Sequence, residues 1–218
     1  MNKILYNKYD KAWLAELPSV IFEGPIRVVY TQEDAKKAVE YLLRQPLLGI
    51  DTETKPSFKK GRTNLVSLLQ VSTLEQCFLF RLNQLGMSEP IIRFLEDTTV
   101  LKVGLSLHDD ILSLQRRKEF TPGLFIDLQD HMRELGIEDL SLQKIYANFF
   151  QQKISKNQRL TNWDIDVFTE RQKRYAATDA WACLRIYNEY LCLRATGDYE
   201  LRIVPEEEQP STPQHLKP

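Results

Sequence analysis

Three short apolar runs stand close together in the first half of the chain, at 47–53, 65–71 and 77–80, and they restrict the fold more than any other feature. Their lengths suit strands, and short connections between them predict antiparallel neighbours in one sheet. Downstream of them the chain alternates: a strand at 100–103, a helix from about His108, a short strand near Phe125, and mostly helix after Asp127. Upstream, 26–30 reads as a strand. Thr31, with Asp34 three residues on, then opens an amphipathic helix through Ala35, Val39, Leu42 and Leu43. Ser88 is placed to cap a helix carrying Ile91, Ile92 and Leu95. Antiparallel strands followed by strand–helix alternation predict an α/β fold, a mixed sheet flanked by helices.

A length of 218 residues suits one domain with short extensions. Residues 1–25, ending at Gly24-Pro25, read as an N-terminal extension packed on a domain at 26–202. Over 203–218 apolar periodicity stops, three consecutive glutamates from Glu206 lead into Pro210, Pro213 and Pro218, and disorder is expected. No apolar run approaches the roughly 20 residues that a membrane-spanning helix needs. The polar start, from Met1 to Asp10, lacks the apolar core of a secretory signal. Cys77, Cys183 and Cys192 are odd in number and lack ligand-type spacing, so free thiols in a reducing, intracellular and cytoplasmic setting are expected. A net charge of −1 argues against a protein that coats duplexes with a basic surface. It leaves room for one that grips a few nucleotides at a strand end.

Side chains alternate along 47–53, so Asp51 and Glu53 share one face while Leu48 and Ile50 share the other. Two carboxylates at the end of an apolar strand repel each other and lose hydration, which requires a cation between them or a raised pKa. A solvated strand end is the plainer alternative. Further on, Leu107, Ile111 and Leu114 make the inward stripe of a helix; Asp110 borders that stripe, and Asp109 turns outward as an N-terminal helix charge. Thr169 and Gln172 form a capping box, and the helix it opens carries Tyr175, Asp179, Ala182 and Ile186 on one stripe. A phenol and a carboxylate are thereby presented together beside alanines. An aromatic core contact next to a surface acid is the alternative there.

Taken together, these segments resemble the DEDDy exonucleases, a family that includes ribonuclease D and the exonuclease domain of the Werner syndrome helicase. The resemblance rests on Ile50-Asp51-Thr52-Glu53, on Val103-Gly104 with Asp110 six residues past the glycine, and on Tyr175 and Asp179 at a spacing of four. Lys55-Pro56-Ser57-Phe58 and Gln158-Arg159-Leu160-Thr161-Asn162-Trp163 extend it, over roughly 26–195. It implies a ribonuclease H-like mixed sheet, antiparallel strands first and then parallel, with Asp51, Glu53, Asp110 and Asp179 converging on two divalent cations. Oxygen donors of this kind select magnesium or manganese over zinc. The family's scheme gives Tyr175 the orientation of the attacking water, the 3′ end of DNA or RNA as substrate, and nucleoside 5′-monophosphates as products.

Basic residues flank the motifs. Thr52, Lys55, Lys60 and Arg62 around the first motif, and Lys156 and Arg159 before the third, are the expected substrate contacts; Lys59 and Lys153 lie in the same stretches. Simple surface solubility is the alternative for each lysine. Adjacent Asp109 leaves a one-residue shift of the ligand conceivable. The helical domains of ribonuclease D and the Werner helicase have no counterpart in the sequence, so recruitment is expected from the exonuclease domain, a partner or self-association. Two other functions compete: a non-catalytic nucleic-acid-binding module on the same fold, and a metal-dependent hydrolase of small phosphoesters. Retention of four acids and the tyrosine weighs against the first, and the basic loops weigh against the second. DNA against RNA, the type of strand end and the oligomeric state stay open.

Overall fold

The computed structural model describes residues 2–59, 61 and 63–205. The chain enters through β1 (Lys3–Tyr6), α1 (Lys11–Glu16) and β2 (Ser19–Val20). It then forms β3 (Ile26–Val29), α2 (Gln32–Leu42), β4 (Leu47–Thr54), β5 (Val66–Ser72) and β6 (Cys77–Arg81). Next come α3 (Leu82–Leu85), α4 (Glu89–Glu96), β7 (Leu101–Gly104), α5 (Leu107–Gln115) and β8 (Phe125–Asp127). The last elements are α6 (Leu128–Glu134), α7 (Leu142–Phe150), β9 (Lys153–Ile154), α8 (Glu170–Thr196) and β10 (Tyr199–Arg202).

Six strands form the central sheet in the order β3-β6-β5-β4-β7-β8. β5 runs antiparallel to both β4 and β6, while β7 and β8 continue parallel from β4. This is the ribonuclease H-like mixed sheet. The alternation along β4 holds: Leu48 and Ile50 are buried with α2, α4 and α5 on one face. On the other face α8 packs its alanines Ala176 and Ala177 against Leu68 and Leu79, and Val103 meets α6, α7 and α8. Because helices cover both faces, every residue of β5 is buried.

Some local expectations need correcting. The β4–β5 connection spans 55–65 and is not short; it leaves Phe58 87% exposed, and a register shift at Glu53/Thr54 precedes it. β3 is an edge strand paired parallel to β6, a long-range pairing that local pattern does not encode. Ser88 stands at the helix start, but its hydroxyl makes no capping bond and has no partner among the described residues. Cys77 and Cys183 are buried free thiols, and Cys192 is an exposed one. Two short strands interrupt the helical second half, and each joins the N-terminal segment: β1 pairs with β10 and β2 with β9. Phe22 is buried, and its N–H donates to the Thr178 hydroxyl at 2.9 Å. Of the expected disordered tail, 206–218 lies outside the described residues; within the described part, the Val204 N–H donates to Asn7 at 2.8 Å. No described helix is long and apolar enough to cross a membrane.

Candidate active site

Two glycines bring the acidic elements together. A Cβ at Gly49 would stand 1.9 Å from the carbonyl oxygen of Ala180, so β4 touches the α8 backbone one residue beyond Asp179. A Cβ at Gly104 would stand 2.7 Å from the Ile50 carbonyl oxygen, which seats the end of β7, and hence the start of α5, beside Asp51. The α5 start is then fixed by Asp127, whose carboxylate accepts the N–H groups of Ser106 (3.0 Å) and Leu107 (2.8 Å). Ser106 there adopts the left-handed conformation, with φ of 60°.

The start of α8 is held as firmly. Thr169 and Gln172 form the capping box. Buried Arg81 donates to the carbonyls of Ile165 and Asp166 and lies 4.1 Å from the Phe168 ring centroid. From this base, α8 carries Tyr175 and Asp179 to the sheet face on which Asp51 and Glu53 project.

Carboxylate oxygens of Asp51, Glu53 and Asp179 lie within 4.8 Å of one another. Asp110 joins from α5, accepting the Thr52 hydroxyl at 2.6 Å, while Asp109 is exposed to solvent. Burial, then the charges of Asp110, Asp179 and Glu53, holds Asp51 well above the usual carboxylate range. Burial pushes Glu53 up to about 9, with Asp179 and Asp110 adding and Arg159 opposing. Burial likewise raises Asp110 to about 6, against the Thr52 hydrogen bond. It raises Asp179 to about 7, against the Tyr175 hydroxyl and the charge of Lys156. Uncompensated like charges at this spacing would keep protons, and a divalent cation would release them. Every donor in the group is a carboxylate, which fits hard cations. Cys183 adjoins, but burial and the surrounding acids keep its thiol protonated. The cluster can hold a metal ion. Tyr175 is also raised, by burial and then by Asp179, so its phenol stays protonated and serves as a hydrogen-bonding group, not as a base.

A cavity of about 280 Å³ opens over Asp51, Asp179 and Tyr175, and Lys156 and Arg159 line its mouth. Lys55 and Thr52 do not line this cavity. Lys55 reaches Asp164 at 3.9 Å, and Thr52 is engaged with Asp110. Lys60 and Arg62 lie outside the described residues. Trp163 is wholly buried, which makes it a core residue. Two positioning roles were missed from the sequence alone: Gly49, whose signal was a glycine inside an apolar strand, and Asp127, visible only as an acid at a strand end.

A family model described as 3′-5′ exonuclease matches residues 26–191. The bifunctional 3′-5′ exonuclease/ATP-dependent helicase WRN of Mus musculus is 28% identical over 183 residues, a stretch covering 79% of this chain and 13% of the mouse protein. The chain thus spans a small part of that relative. Among solved structures, the Aedes aegypti Nibbler EXO domain superposes with a TM-score of 0.74 at 20% identity, covering 84% of this chain and 95% of that one. Trypanosoma brucei RNase D, in complex with RNA U12, gives 0.70 at 20% identity, covering 78% and 63%. The acids that meet in space therefore lie within a matched segment taking up most of the sequence, and the chain belongs to the 3′-5′ exonuclease family.

Proposed function

We propose that residues 26–202 form a 3′→5′ exonuclease domain that hydrolyses the terminal phosphodiester of a DNA or RNA strand and releases nucleoside 5′-monophosphates. Asp51, Glu53, Asp110 and Asp179 would hold two divalent cations, magnesium or manganese. The observation that carries this reading is the gathering of three carboxylates within 4.8 Å, with a fourth hydrogen-bonded beside them. When bound, the cations supply Lewis-acid stabilisation of the charge developing on the phosphodiester oxygens.

The remaining work falls to the chain's own side chains. Tyr175, a neutral phenol next to Asp179, orients the attacking water by hydrogen bonding. Lys156 and Arg159 at the cavity mouth hold the phosphate and offset the acids' charge. Such contacts position a backbone without reading its sequence, so the domain acts on strand ends of any sequence.

The test is a 5′-labelled oligonucleotide incubated with the protein in magnesium or manganese. A ladder shortening from the 3′ end, with nucleoside 5′-monophosphate as product and a 3′-blocked strand resistant, is the expected result. A strand left intact in both metals would overturn the proposal, and retention without cleavage would identify a binding module instead.

A further inference from the structure

The cavity over the acids has a neighbour on the side of Lys156. A neighbouring cavity of about 450 Å³ shares Gln143, Ser155 and Lys156 with it and is completed by Lys153 and by Lys11 and Ser19 of the N-terminal segment. Its lining holds three lysines and no acid. Among the described residues none of the three forms an ion pair with a carboxylate. Lys11 and Lys156 are exposed.

The wall that supplies Lys11 is built in. β2 pairs with β9, and the Lys153 ammonium donates to the Ala15 carbonyl. Arg174 donates to the carbonyls of Phe22 and Gly24, both at 2.8 Å. Residues 1–25 precede the segment that the family model matches, which begins at residue 26. Lys156 also bears on Asp179, but Lys11 and Lys153 extend the positive charge away from the acids, and lysines along a trough with no acid in its own lining attract a polyanion.

Resting on the exonuclease reading, we infer that this trough is the track for the single strand upstream of the scissile phosphodiester. Lys156 meets the phosphate nearest the acids, and Lys153 and Lys11 meet phosphates farther from the 3′ end. A groove of positive charge leading away from a reaction centre is how proteins follow a single-stranded backbone without sequence preference. The N-terminal segment thereby makes the enzyme sensitive to strand length: a dinucleotide fills the catalytic cavity, and only a longer strand reaches Lys11.

The full chain and its Lys11→Ala variant are compared on a dinucleotide and on a long single strand. Lys11→Ala should raise KM about fivefold for the long strand only, as expected for one lost phosphate contact. Thermal unfolding should be unchanged, because Lys11 is exposed. In a background of Asp51→Asn, which blocks turnover, the slope of log affinity against log salt for the long strand should flatten by about 0.7. Equal effects of Lys11→Ala on both substrates, or an unaltered salt slope, would overturn the track. If the wild type cleaves neither substrate, the exonuclease reading falls by itself, and the salt slope still decides the track.

Discussion

Tyr175 shows most plainly what single residues contribute. Its hydroxyl is surrounded by carboxylates, holds its proton and can act only through hydrogen bonds. Tyr175→Phe should therefore lower kcat by about 100-fold and leave KM within about twofold, measured by steady-state kinetics on one oligonucleotide. A rise in KM alone would mark Tyr175 as a binding residue. The acids and this tyrosine were legible because two periods place them, 2.0 along β4 and 3.6 along α8. The choice of Asp110 over Asp109 rested on the same helical period and agrees with the Thr52 hydrogen bond. Lysines were harder, since they sit on loops without a period: Lys55 is paired with Asp164, far along the chain, and nothing local announces that partner.

Secondary-structure elements bring these residues within reach, and β4 against α8 is the contact that matters most. Gly49 permits it, because any Cβ there would collide with backbone at Ala180, which cannot rotate away as a side chain can. Gly49→Ala should cost on the order of 1–3 kcal/mol and lower the melting temperature by roughly 2–10 °C. Activity should fall as well, because α8 carries Asp179. An unchanged melting temperature, read by calorimetry, would show that α8 can retreat freely. Strand order among β4, β5 and β6 could be read from their closeness in sequence. The parallel pairings β3–β6, β1–β10 and β2–β9 join segments far apart in the chain, and local patterns carry no signal for them.

Across the whole molecule, the acid cluster costs stability wherever its buried carboxylates are ionised with no cation to offset them. Glu53 has a folded pKa of about 9 against an ordinary 4.5, so its protonated form is the one the fold favours. That stability is fully present below pH 4.5 and is lost as pH rises towards about 9. Asp110, raised to about 6, and Asp179, raised to about 7, act in the same direction. In chelator, the melting temperature should fall across this window, and the gain on adding magnesium should grow with pH; a gain that shrinks with rising pH would contradict this origin. The most direct test of the cluster itself is calorimetric titration of the chelator-treated protein with manganese. Wild type should take up about two ions per chain, and Asp51→Asn should lose most of that uptake while melting cooperatively. Uptake undiminished in Asp51→Asn would place the cations elsewhere and contradict the account.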